Sequence, residues 1–77
     1  MHITSEQMRA ARALLRWDQK ALSEASGVPL TTLKRVEAQS GPLAAHGRTI
    51  AALQGACERN GIIFLNDGEP GVRLRKP

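Results

Sequence analysis

Four polar side chains crowd one short stretch, Thr31, Thr32, Lys34 and Arg35 within LTTLKRVE. Two hydroxyls, an ammonium and a guanidinium put hydrogen-bond donors and acceptors close together. At 100° per residue, Thr31 and Arg35 share a helix face with Lys34 and Thr32 beside it, while Leu33 and Val36 point the other way, flanked by Pro29 and Glu37. Such a face can recognise a charged or hydrogen-bonding partner, but it contains no nucleophile with its base. The residues suited to covalent or metal chemistry are scattered. Cys57 is the only cysteine, so neither an internal disulfide nor a cysteine-based zinc site can be built, and it falls in an apolar helical stripe as a small core residue. His2 lies near the N-terminus and His46 in a loop, and neither has a cysteine or carboxylate at catalytic or ligand spacing. An enzyme is therefore not expected, nor a metal or cofactor.

The chain of 77 residues is expected to form one small domain, 1–77, of a size at which a single core yields only about 3 to 5 kcal/mol of net stability. A partner subunit would add to that. The net charge of +4 favours a polyanionic partner, with nucleic acid the first candidate and plain solubility the alternative. One Trp, one Phe and no Tyr count against a surface that stacks single-stranded bases. The lone cysteine suggests a reducing, cytoplasmic setting, and the sequence has neither the apolar run of a signal peptide nor a membrane span.

Short helices must position the polar face. Thr4 as N-cap with Gln7 three residues on predicts a capping box, and Ile3 with Met8 a hydrophobic staple across it. On that helix Met8, Ala11, Arg12 and Leu15 face inward, with Arg9, Ala13 and Arg16 more toward solvent. Asp18 caps the next helix, in which Ala21, Leu22 and Ala25 share a face, and Gln19 stands in its first turn, where free N–H groups favour a phosphate. Gly27 ends it, and Pro29 suits the first turn of the helix that follows. Arg12 and Glu37 both fall on inward faces, so an ion pair between them is expected, the alternative being that each reaches solvent. A loop over 38–47 leads to a helix from Arg48 to Asn60, with Ile50, Leu53, Gln54 and Cys57 inside. The apolar run Ile62, Ile63, Phe64, Leu65 and the alternating Val72 to Arg75 predict two short strands. The first is apolar on both faces, which points to a dimer interface through these four residues, or to an irregular segment over the core.

The stretch from Asp18 to Glu37 resembles the helix-turn-helix of the Cro/CI-type repressors, the XRE family. The resemblance runs through Leu14-Leu15, Trp17-Asp18-Gln19, Ala21-Leu22, Gly27-Val28, Thr32-Leu33 and Arg35-Val36-Glu37, and covers about residues 4–60. It implies a mainly α, compact four-helix lambda-repressor-like domain, with residues 61–77 as a short C-terminal hairpin or strand pair outside the common core. It also implies that Arg12 pairs with Glu37, that Gln19 contacts a phosphate, and that Leu30, Thr31, Lys34 and Arg35 face a major groove. Thr32 flanks that set. Three positions depart from the family's habit: Arg16 replaces a Gly, Pro29 replaces a Ser or Thr cap, and Leu30 replaces a polar residue.

On this resemblance the chain is expected to bind double-stranded DNA as a homodimer on an inverted-repeat operator, and so to regulate transcription. Gln19, Ser40 and Arg48 would hold phosphates, with His46 a lesser candidate, while Arg35, Thr31 and Lys34 would read base edges. The alternative is a protein-interaction module, antitoxin-like or anti-activator, that docks on a partner through the Ile62 to Leu65 strand.

Overall fold

The structure is a computed structural model that describes residues 2–75; Met1, Lys76 and Pro77, the ends of the expected single domain, lie outside the described residues. Helix α1 spans Ser5–Leu15 and begins as the sequence predicts. Thr4 Oγ1 accepts the Gln7 N–H at 3.0 Å and Gln7 Oε1 accepts the Thr4 N–H at 2.9 Å, while Ile3 and Met8 are both buried around this box. The helix stops at Arg16, which takes a left-handed conformation (φ 58°, ψ 38°) although it carries a side chain. Its N–H and that of Trp17 return to the Ala13 and Arg12 carbonyls, so the bend is made without glycine at a cost of about 1 to 2 kcal/mol.

Helix α2, Gln19–Ser26, is capped by Asp18, whose Oδ1 accepts the Ala21 N–H at 2.7 Å, and ends at Gly27 with φ 78°. Two serines then lock the turn. Ser23 Oγ donates to the Val28 carbonyl at 2.6 Å, and Ser26 Oγ accepts the Val28 N–H at 3.2 Å. Helix α3, Leu30–Glu37, starts from Pro29 at the N-cap, one position earlier than the first turn, and has no side-chain cap. Helix α4 runs Gly47–Arg59, one residue ahead of the expected bounds at each end, because His46 and Asn60 serve as its caps. Ala56 rather than Gln54 joins Leu53 and Cys57 in the buried stripe, and Ile50 is only half-buried.

Strands β1, Ile62–Leu65, and β2, Gly71–Leu74, pair antiparallel within the chain, from Ile62 opposite Leu74 to Leu65 opposite Gly71. The pairing is a hairpin, as the sequence predicts, and it packs on α1 and α4. The first strand, apolar on both faces, divides between inside and outside. Ile62 and Phe64 belong to the chain's own core, at 3% and 4% exposure, and only Ile63 and Leu65 turn outward. Period-two alternation produces this split, since the inner pair faces the helices and the outer pair faces away.

One core unites these elements: Ile3, Met8, Ala11, Leu22, Leu33, Val36, Leu53, Cys57, Ile62 and Phe64 among its buried members. Two links that local sequence does not disclose close it. The expected loop over 38–47, whose last residue belongs to α4, is stitched to the N-terminus by Ser5 N–H to the Gly41 carbonyl, Leu43 N–H to the Ile3 carbonyl and a bridge between Thr4 and Pro42. Gln7 Nε2, at the centre of the capping box, also donates to the Leu65 and Gly71 carbonyls and to Asn66 Oδ1 at 3.0 to 3.1 Å, and so clamps the hairpin to α1. Among the described residues no helix is long and apolar enough to cross a membrane.

Candidate nucleic-acid interface

Helix α3 buries Leu33, Val36 and Glu37 and leaves Thr31, Lys34 and Arg35 exposed, with Leu30 and Thr32 half-buried at its margins. An eight-residue helix of this kind has little stability of its own, so its neighbours must fix it. The fastening is electrostatic. Arg12 Nε lies 3.0 and 2.9 Å from the two Glu37 oxygens, and Arg12 Nη2 lies 2.8 Å from Oε1. The Glu37 side chain is only 2% exposed. The expected ion pair is therefore formed, and both ions have further partners: Arg12 Nη1 donates to the Trp17 carbonyl at 3.1 Å and Gln19 Nε2 donates to Glu37 Oε1 at 3.1 Å.

Gln19 is thus part of the lock. Its remaining amide N–H is what a phosphate at the start of α2 could use. Arg9, expected on the solvent side, proves to be an anchor: its Nη1 donates to the Glu37 carbonyl and, at 3.3 Å, to that of Gln39. Ser5 Oγ adds a bond to the Val36 carbonyl at 3.0 Å. Arg9 thereby satisfies the carbonyl of Glu37 at the end of α3 and that of Gln39 beyond it, while Ser5 adds a second donor to the Val36 carbonyl, which also accepts the Gln39 N–H. Nothing in the local pattern marks them, since both depend on where α3 ends relative to α1.

On the other side of α3, Thr32 and Arg35 line a shallow recess together with Ala45, His46 and Thr49. The start of α4 thereby joins the polar face of α3. His46 provides no side-chain cap, so the first N–H groups of α4 remain open beside a histidine, a threonine and a guanidinium. Arg48 is exposed in that same first turn, and Ser40 is exposed beyond the last turn of α3; neither lines the recess. Lys34, Arg35 and Arg48 make no ion pair among the described residues. Ala45 and Thr49 are the lining residues that sequence reasoning did not select. Thr49 follows Arg48 in a first turn, but only the path of segment 38–46 brings that turn beside α3.

Burial, with Glu37 and then Glu58 adding, pushes the Cys57 thiol up to about 11, and its Sγ rests 3.9 Å from Met8 Sδ. No cluster of three or more metal-ligating side chains occurs among the described residues. No protein-family model and no curated protein matches this sequence significantly.

Proposed function

We propose that this chain is a sequence-specific double-stranded DNA-binding protein of the Cro/CI-type helix-turn-helix family, with a lambda-repressor-like four-helix fold. It acts as a homodimer on an inverted-repeat operator and regulates transcription. One observation carries the proposal: α3 is held along its inner face and at its last turn, yet its outward face is polar and cationic, with no ion pair among the described residues. A helix that only filled space would not need Thr31, Lys34 and Arg35 in that row.

In this function Arg35 meets a guanine edge, because its planar fork matches O6 and N7 together, with Thr31 and Lys34 reading beside it. Leu30, half-buried at the start of α3, covers the scaffold and can touch a thymine methyl. Gln19, Arg48, His46 and the open N–H groups of α4 take phosphates, which set register. A single helix of this length reads too few base pairs for selectivity, so two copies with half-site centres about 34 Å apart supply the rest.

Selection of bound sequences from random duplex DNA, followed by a salt titration of the winner, tests this directly. An enriched inverted repeat with a log–log salt slope of several units is the expected result. Absence of any enriched sequence would reject DNA recognition and transfer the function to a protein partner.

A further inference from the structure

The hairpin carries opposite characters at its two ends. Its tip presents Asp67 and Glu69, both exposed, next to Leu65 at 39% exposure. At its base, Leu74 at 39% and Leu14 at 41% form the apolar floor of a groove between the ends of α1, α4 and β2. Three arginines, Arg16, Arg59 and Arg75, rim this groove against a single acid, Glu58, and none of the three forms an ion pair among the described residues. Because Leu65 pairs with Gly71 at one end and Ile62 with Leu74 at the other, tip and base are separated by the strand length, about 10 Å. One chain cannot fold its own tip onto its own groove.

We propose that the acidic tip of one chain docks on the arginine-rimmed groove of a second copy. The inference deepens the homodimer proposed above and rests on it. Antiparallel alignment of two hairpins about a two-fold axis sets each tip beside the other's base, so the contact is made twice. Leu65 then covers Leu14 and Leu74, and Asp67 and Glu69 face Arg16, Arg59 and Arg75. A second copy is the occupant because this same chain carries the complementary end. Duplex DNA would match the arginines but would leave the leucine floor unused. The recess beside α3 lies toward the opposite end of α4, about 18 Å away at 1.5 Å per residue, so the dimer leaves it open.

Charge reversal tests the contact. Sedimentation equilibrium would compare the natural chain with a tip variant (Asp67→Lys with Glu69→Lys), a groove variant (Arg59→Glu with Arg75→Glu) and their equimolar mixture. All four side chains are exposed, and circular-dichroism melting checks that each variant folds; where one does not, the Asn/Gln and Gln/Gln replacements take its place. The natural chain should be dimeric and lose affinity with salt. Each variant alone should weaken dimerisation at least tenfold, and the mixture should recover it, since one tip–groove contact is then reversed in both partners and the other is natural. Variants as dimeric as the natural chain, or a mixture that stays monomeric, overturn the docking while leaving a homodimer of another kind. A monomeric natural chain overturns both. Binding of a half-site duplex by the monomeric variants reports separately on the DNA-binding proposal.

Discussion

The last turn of α3 and the C-terminal hairpin both lean on α1, one through charge and the other through a neutral amide and apolar packing. Arg9 and Arg12 grip α3 through the Glu37 carboxylate and the carbonyls at its end. Gln7 grips the hairpin through two carbonyls and Asn66, with Ile62 and Phe64 beneath. Apolar burial is non-directional and tolerates sliding, whereas a guanidinium forked onto a carboxylate fixes an angle. The difference suits two tasks: α3 must be presented at one orientation, while the hairpin must cover the core.

The largest effect that would break this contrast comes from Arg12→Ala. It leaves the Glu37 carboxylate buried without its cation, and should cost about 3 to 5 kcal/mol in urea denaturation. Replacing the pair together, Arg12→Met with Glu37→Leu, should recover most of that stability, yet DNA affinity should stay reduced because the orienting fork is gone. Equal recovery of stability and affinity would mean that the pair serves packing alone. Next comes Gln7→Ala, expected to cost about 1 to 3 kcal/mol by orphaning the Leu65 and Gly71 carbonyls and the Thr4 N–H. Amide exchange should then quicken in β1 and β2 more than in α3. Uniform quickening would show that the hairpin and α3 open together.

Arg35→Ala sharpens the comparison from the outside. It should leave melting unchanged and weaken the selected DNA by about 1 to 3 kcal/mol while relaxing preference at one base pair. Equal loss on random DNA would assign Arg35 to phosphate. Arg16→Gly relieves the left-handed strain at the end of α1, and should raise stability by about 0.5 to 1 kcal/mol in the same denaturation series. The smallest effect concerns Glu6, whose carboxyl is held below its ordinary value by its own backbone N–H, then by that of Gly41, and further by Arg9. A lowered folded value means a contribution present above pH 4.5 and lost as pH falls through that folded value. Glu6→Gln should therefore flatten the acid limb of a melting-against-pH curve.

Much of the scaffold was legible because its signals are local. Thr4 with Gln7, Asp18, Gly27 and the alternating strands each declare themselves within a few residues, and the Arg12–Glu37 pair could be inferred from two charges on inward faces. What escaped depends on distant segments meeting. Arg9 looked solvated because its acceptors lie at the end of α3 and just beyond it, and Gln7 showed only the half of its amide that bonds locally. Thr49 and Ala45 joined Thr32 and Arg35 only through the path of a loop with no periodic pattern. In Ile62 to Leu65 the run is apolar throughout, so which pair faces the chain's own core, Ile62 with Phe64, was set only by where the helices lie. The polar face of α3 was readable throughout, because 3.6-residue periodicity separates Thr31 and Arg35 from Leu33 and Val36 whatever surrounds them.

Cys57 gives this small domain a built-in clock. Its thiol is fully buried and its ionisation is suppressed, so at neutral pH a disulfide reagent finds neither access nor thiolate while the core is closed. The rate of labelling therefore counts openings of the core at α4, where Cys57 touches Met8 of α1. Followed with and without DNA, or across a dilution series, one time course would measure how strongly a bound operator or second copy holds the helices together.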